Sequence, residues 1–345
     1  MEHFKDAEFY IFTGSTDINK TPLENITPGQ WTRFNENTQI WYASKGNAID
    51  EFIRQTEKIQ PDVLFTTGLY SLYYNLVPLI YSKVPRKIVS VRGMLHPGAL
   101  GQKSLKKKIF IKVFKLMGFP KRVAFHATDE EEASFIRHHF GKDAKIYVAG
   151  NLPSFIGKIH SPAKETASLK MMSIGLISPM KNYLLVLHAL RNITSTITYN
   201  IYGSVKDAAY AEQCREAAEE LPDNVTVTFH GGLDPAKIKD VLQEHHVFIL
   251  PSESENFGHA LFEALSAGRP VITSHNTPWK RLIDYQSGIN IHPEREGEII
   301  EAIESFLRMT GEEYNTFCNG AYNFALKNYD SGEILAKYKT MFDVN

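Results

Sequence analysis

The sequence predicts an α/β protein of two doubly wound domains, each a parallel sheet with helices on both faces. Three observations predict it. Short apolar runs alternate with stretches of helical period along the chain, which is the pattern of strand–helix–strand units. The alternation pauses once, at the polar stretch LPSFIGKIHSPAKETASLK (152–170) with its two prolines, and then restarts. The 345 residues, 43% apolar and 22% charged, suffice for two cores. The expected organisation is an N-terminal domain over 1–155, a C-terminal domain over 165–325 and a closing helix over 326–345 packed back toward the first domain, with a cleft between the two domains.

The elements follow in order. EFYIFT and NTQIWYA read as strands, NAIDEFIRQTEKIQ as a helix, PDVLFTTG and KIVSVRG as buried strands. A basic helix runs from about Lys103 to Met117. RVAFHAT is a strand, and DEEEASFIRHHFG a helix opened by Asp129, whose acids suit the positive dipole end. KIYVAGN closes the half. After the linker, LKMMSIG, ITYNIYG, VTVTFHG and HVFILP read as strands. SPMKNYLLVLHALRNI, AYAEQCREAAEEL and PAKIKDVLQEH read as the helices between them.

The stretch SESENFGHALFEALSAGRPVITS (252–274) carries more chemistry than a core helix needs. HVFILP before it is a buried strand closed by Pro251, and the helix from about Gly258 to Ala267 is ended by Gly268 and Pro270. The loop therefore lies at the carboxyl end of a parallel strand, where ligands of open α/β sheets collect. A helix start offers N–H groups and a positive dipole end to a phosphate, and Gly258 lets the backbone approach it. Glu263, further along the helix, is placed to accept hydrogen bonds from a ribose diol, and Glu255, at the loop tip, from another polyol such as a sugar ring. A dipole-favoured helix acid and a solvated glutamate would explain the pair equally well if it stood alone.

Three further loops add to it. SIGLISPMKN places Gly175 and Lys181 between a strand and a helix, where a lysine can reach a diphosphate. YNIYGSV ends a strand at Gly203, and TFHGGLDP does so at Gly231. Each alone is ordinary turn chemistry. On adjacent loops of one sheet they outline a nucleotide-sized site. No G-x-G-x-x-G and no G-x-x-x-x-G-K-[ST] is present, which disfavours hydride transfer and P-loop chemistry.

Charge is unevenly spread. Between Asp62 and Asp129 there are twelve Lys and Arg and no acid, in a chain of net charge −1. Such a field attracts anions or an anionic surface. Lys103, Lys106, Lys107, Lys108 and Lys112 form a patch that suits an anionic membrane or a lipid-linked acceptor; no nucleic-acid motif accompanies it. No run of 18 apolar residues and no signal-peptide layout is present, and Cys214 and Cys318 stand far apart without metal-ligand neighbours. A cytoplasmic protein, peripheral at the inner membrane face, is the expectation.

Together, G-x-I-S-P-x-K-N, a strand ending in Gly, x-F-H-G and S-E-N-F-G-H-x-x-x-E-A-L-S-A-G-R-P-V-I resemble the retaining "group 1" glycosyltransferases, GT4-like, with the GT-B fold of two Rossmann-like domains. The E-x7-E spacing of Glu255 and Glu263 is the most specific mark. SVRGMLHPGALGQKSLKKK and FHATDEEE resemble segments of bacterial members that build surface polysaccharides, and the resemblance runs from about residue 10 to 340.

The resemblance implies transfer of a sugar, with retention, from a UDP- or GDP-linked donor to a saccharide or lipid-linked acceptor, by a hexosyltransferase-type enzyme without cofactor or metal. It implies that Glu263 binds the donor ribose, that Glu255 faces the donor sugar or reacting centre, and that the Asn256-Phe257-Gly258-His259 backbone holds sugar and diphosphate. Lys181 would neutralise the diphosphate; Arg92 and Gly93 would reach the donor from the first domain. His96, just after them, is placed to touch donor sugar or acceptor, whereas His126, inside an apolar strand, reads more plainly as core.

Two departures stand out. Leu176 occupies the place of a usual arginine, leaving Arg92 or Arg281 to supply a second cation. The family's opening strand and glycine-rich loop have no counterpart before EFYIFT, where Gly14 is the only early glycine. A nucleotide-sugar 2-epimerase and a non-catalytic binding protein derived from the same family are the alternatives; the E-x7-E loop serves the first poorly, and the two departures favour the second.

Overall fold

The computed structural model describes residues 4–17, 20–44, 46–97, 100 and 104–343. The chain divides into two compact units, Met1–Leu152 with Ser331–Asn345, and Pro153–Asp330.

The first unit holds two sheets. Strands β1 (Phe9–Gly14), β2 (Trp31–Asn35) and β3 (Thr38–Ala43) form one, in the order β1-β3-β2, with β1 parallel and β2 antiparallel to β3. After helix α1 (Ala48–Ile59), strands β4 (Val63–Thr67), β5 (Arg86–Ser90), β6 (Ala124–Ala127) and β7 (Lys145–Val148) form a separate parallel sheet in chain order. The single doubly wound sheet expected for this half is thus divided, and β2 is an addition. Its sequence, WTRFN, lies at a sheet edge with its middle three side chains exposed, so no apolar run marks it.

Helices α2 (Val77–Tyr81), α3 (Ser104–Leu116) and α4 (Glu130–Phe140) connect the parallel strands. The carboxylate of Asp129 accepts the Glu132 N–H and caps α4, followed by three acids in the first turn. Ile111 and Phe114 of α3 enter a core with Phe119, Phe125 and Phe140.

The second unit has one six-stranded, fully parallel sheet. Its strands are β8 (Ser168–Ile174), β9 (Thr196–Tyr202), β10 (Val225–Gly231), β11 (Val247–Leu250), β12 (Val271–Ser274) and β13 (Gly288–Ile291). The order is β10-β9-β8-β11-β12-β13. The chain steps outward from β8 to β10, then crosses to the other side of β8. The order therefore reverses between β8 and β11, and ligands of such sheets collect at the carboxyl ends of these two strands. Helices α5 (Tyr183–Leu190), α6 (Ala208–Glu219), α7 (Ile238–Glu244), α8 (His259–Ser266), α9 (Glu296–Arg308) and α10 (Gly311–Lys327) complete the unit.

The stretch read as a linker is fastened to the second unit. The Ile156 N–H donates to Ser266 Oγ (3.1 Å) and the Ile159 N–H to the Ala267 carbonyl (3.2 Å). Arg269, fully buried, donates from Nε to the Leu242 carbonyl (2.8 Å), from Nη1 to Ser161 Oγ (3.2 Å) and from Nη2 to the His160 carbonyl. His246 adds two ties: Nδ1 accepts the Lys170 N–H, and Nε2 lies 3.0 Å from the Ala163 carbonyl. Burial holds this imidazole down at about 4, so it stays neutral.

Helix α11 (Ser331–Phe342) belongs to the first unit. Met341 packs with Ile88 and Ala124, and the Phe342 ring meets those of Phe4 and Phe65. Among the described residues no helix is long and apolar enough to cross a membrane.

Candidate functional site

The site begins with β11, four buried apolar residues ending at Pro251. The chain then turns through Ser252–Phe257 into α8. Gly258 has φ 77° and ψ 61°, the left-handed region. A Cβ there would stand 3.0 Å from Leu261 Cδ1 and 3.4 Å from Trp279 Nε1. Only glycine suits both the conformation and the space. The Trp279 indole donates to the Phe257 carbonyl (2.7 Å) and its ring meets the Phe257 ring edge-on at 5.2 Å. Trp279, itself buried, thus fixes this turn. Asn256 lies exposed on it, and the His259 ring packs 4.9 Å from Phe257. Among the described residues no side-chain hydrogen bond caps α8 at Gly258, which leaves its first N–H groups to another acceptor.

The loop after β8 meets this turn. SPMKN was expected to open one helix; instead Pro179–Lys181 form a single 3₁₀ turn, Asn182 adopts φ 57°, and α5 starts at Tyr183. Asparagine tolerates the left-handed conformation, and the break projects Lys181 from the loop. Its ammonium pairs with Glu255 Oε1, and the Ser252 hydroxyl donates to the same oxygen (2.7 Å). Beside them the Glu253 N–H donates to the Met180 carbonyl (2.9 Å), and Asn182 Nδ2 to Glu253 Oε1 (3.0 Å). The loops after β8 and β11 are thus stitched together where the sheet order reverses. Neither partner of the pair was matched to the other by sequence reasoning, because 74 residues separate them.

Glu263 sits differently. It is half-buried in a hollow lined by Ser154, Ile156, Pro235, Ile238 and Lys239. Among the described residues none hydrogen-bonds to its carboxylate or pairs with it. Burial alone pushes its pKa up to about 7. A desolvated acceptor without a partner, facing open space, is a group waiting for donors. The walls of this hollow escaped sequence reading, since Ser154 and Ile156 come from the supposed linker and no motif marks Lys239.

The carboxyl ends of β8, β9 and β10, neighbours in the sheet, pack together as a ridge. A Cβ on Gly203 would lie 1.8 Å from the Gly175 carbonyl oxygen, so glycine there is imposed by loop-on-loop packing. The Gly203 N–H donates to the Gly231 carbonyl (2.6 Å), where the β10 register shifts. The Tyr183 hydroxyl donates to the Gly175 carbonyl (2.8 Å) and holds the ridge from below. Leu176 supplies no charge, and Arg281 donates to Asp284 Oδ2 (2.7 Å) on an exposed turn.

The remaining candidates belong to the first unit. Arg92 follows β5 in the left-handed region, φ 54°, an unfavourable conformation for a residue with a Cβ. Its Nη1 donates to Asn151 Oδ1 (2.6 Å). The Gly93 N–H donates to Glu132 Oε1, while Glu132 Oε2 accepts Thr128 N–H (2.7 Å) and hydroxyl (3.0 Å). Glu132 thus already holds the Gly93 amide. His96 is exposed, its ring edge-on to Phe135 at 5.5 Å. His126 is fully buried, 2.8 Å from the Ser90 hydroxyl and 2.9 Å from the Ala149 carbonyl, which is a core role. Lys106, Lys108 and Lys112 are exposed on α3, and the Lys107 ammonium lies 5.5 Å from the Tyr70 ring centroid. Lys103 falls outside the described residues.

Residues 158–324 match the family model described as glycosyl transferases group 1. No curated protein matches the sequence significantly. Solved structures similar in fold include sucrose-phosphate synthase from Thermosynechococcus elongatus, with TM-score 0.72 and 14% identity over 97% of this chain and 88% of that one. HepE from Anabaena, in complex with UDP-glucose, gives TM-score 0.68 and 13% identity over 89% and 86%. WaaG, a glycosyltransferase involved in lipopolysaccharide biosynthesis, gives 0.62 and 13% over 90% and 88%. At such identities the likeness is one of fold, the GT-B fold of two Rossmann-like domains.

Proposed function

We propose, since residues 158–324 belong to the group 1 glycosyl transferases, that the chain moves a sugar from a nucleoside-diphosphate donor to a saccharide or lipid-linked acceptor with retention. The observation that carries this reading is Glu263, a half-buried carboxylate on α8 without a partner among the described residues, in a hollow lined by Ser154, Pro235 and Lys239. A ribose diol supplies the two donors it lacks. The diphosphate then falls at the start of α8, within reach of Lys181, and the sugar at Glu255. Lys181 and the helix dipole stabilise the departing charge, the role a metal ion plays in other transferases.

The bond from the anomeric carbon to the diphosphate oxygen breaks, and the acceptor oxygen bonds to that carbon on the same face. The acceptor proton passes to the leaving phosphate. Building a surface polysaccharide is the role most in keeping with such an acceptor. HepE, of similar fold, binds UDP-glucose, which makes UDP the first nucleotide to try.

Calorimetry with UDP, GDP, ADP and CMP, with and without magnesium, tests the reading. Metal-independent binding of one diphosphate, lost in Glu263→Ala, is the expected result. Binding of none of them would overturn it in favour of a non-catalytic member. With the donor base known, the anomeric configuration of the product, read by NMR, tests retention.

A further inference from the structure

The first unit has a hollow that its candidate site residues do not line. It lies at the amino ends of β5 and β6, whereas Arg92 and Gly93 follow the carboxyl end of β5. Its volume is about 190 Å³, and Leu79, Val84, Pro85 and Phe119 are among its walls. Two cations supply the polar side chains of the wall, Lys87 from β5 and Arg122 from the turn before β6. Lys87 is half-buried, and its ammonium donates to the Leu79 carbonyl (2.9 Å) and the Ser82 carbonyl (2.8 Å). One of its three N–H bonds is left over. The Arg122 guanidinium lies over the Phe119 ring, 5.9 Å from the centroid, and among the described residues it has no hydrogen-bond or carboxylate partner. No acid occurs between Asp62 and Asp129 to offset either charge. Burial and the Arg122 charge together hold the Lys87 pKa below the usual lysine value. The Ser82 hydroxyl, on the residue whose carbonyl Lys87 holds, is buried and also without a partner among the described residues. Two like charges that share a hollow repel, and an anion between them turns that repulsion into attraction.

We propose that Lys87 and Arg122 form a binding site for one phosphate group carried by a small soluble molecule. A guanidinium fork and a spare lysine N–H match a tetrahedral oxyanion, which accepts several charge-assisted hydrogen bonds at once. Size sets the other limit. Pockets for drug-sized ligands begin at about 300 Å³, so this one holds inorganic phosphate or a short phosphate ester and not a nucleotide. The bound phosphate joins the segment after α2 to the turn before β6. The inference stands on the first unit alone and does not depend on the chemistry proposed for the second.

Calorimetry and thermal melting of the full chain with inorganic phosphate, against chloride at equal ionic strength, test it. Phosphate binds, and at roughly ten times its dissociation constant it raises the melting temperature by about 3 °C. Lys87→Met loses the binding but also strips two carbonyls of their donor, so Arg122→Gln, at an exposed position, is the deciding variant. It keeps the melting temperature of the phosphate-free parent and lowers phosphate affinity about tenfold. Lys181→Met retains the parental affinity, which separates this site from the second unit. A wild type that phosphate affects no more than chloride overturns the proposal. So does binding that Arg122→Gln leaves intact, binding that Lys181→Met abolishes, or Arg122-dependent binding of phosphatidic acid vesicles with no binding of soluble phosphate.

Discussion

Lys181 and Glu255 neutralise each other at the point where the strand order of the second unit reverses, and the Ser252 hydroxyl donates to the same carboxylate oxygen. Both side chains are largely buried, so the pair is little screened. On the proposed reading, an incoming diphosphate would compete with Glu255 for the lysine. The two residues therefore predict opposite signatures. Lys181→Met weakens UDP binding and lowers turnover together. Glu255→Gln releases the lysine, so UDP binds at least as tightly while sugar transfer falls about 100-fold. Calorimetry and steady-state rates on both variants check this; equal loss of affinity in the two would break the assignment.

Glu263 makes the chain sensitive to pH in two directions. Burial raises this carboxyl from 4.5 to about 7. Between those values the folded chain holds a proton that the unfolded chain has lost, so stability falls as pH rises through the window. Glu263→Gln removes that slope, and its melting temperature exceeds the parent's at about pH 8. Nucleotide affinity runs the other way. The ionised carboxylate is the stronger acceptor for a diol, so binding tightens as pH passes about 7, and the glutamine variant shows no such rise. A pH-independent affinity in the parent would remove Glu263 from the ribose site.

Gly203 is fixed by contact, because a methyl group would overlap the Gly175 carbonyl. The backbone has to move, and it moves the loop that carries Lys181. Gly203→Ala is expected to cost more than about 3 kcal/mol in urea unfolding and to weaken diphosphate binding as well. A fully stable variant with normal binding would show that the two loops can part freely.

Arg269 holds the stretch 153–164 against the second unit through backbone carbonyls. Arg269→Met fills the space but strips the Leu242 and His160 carbonyls of their donors, at about 1–3 kcal/mol each. Trypsin or thermolysin should then cut within this stretch, which also carries two walls of the Glu263 hollow. Cleavage unchanged in position and rate would mean that Ser266 and His246 suffice.

The core strands were readable because both their faces are buried and their residues form continuous apolar runs; VFIL is an example, all four residues buried. The Gly258 turn and the E-x7-E pair were readable because loop, helix start and both carboxylates lie within twelve residues. Other features had no local signal. Strand β2 has one neighbour, and its exposed Thr32 and Arg33 look like loop. The break at Asn182 follows from the docking of Glu253 on Met180, a contact 73 residues away. Proline and polar residues made 152–170 look like a tether, yet its anchors, Ser266 and Arg269, lie a hundred residues downstream on α8 and the turn after it.

Helix α11 puts an order on how this chain becomes a protein. The first unit leaves the ribosome first, but Ile88 and Ala124 lack Met341, and Phe65 lacks Phe342, until the entire second unit has been made. The second unit, by contrast, is contiguous from Pro153 to Asp330 and can close as soon as it emerges. What is translated first is thus finished last, and a chain cut short before Ser331 would keep all of the second unit while leaving Ile88, Ala124 and Phe65 of the first uncovered.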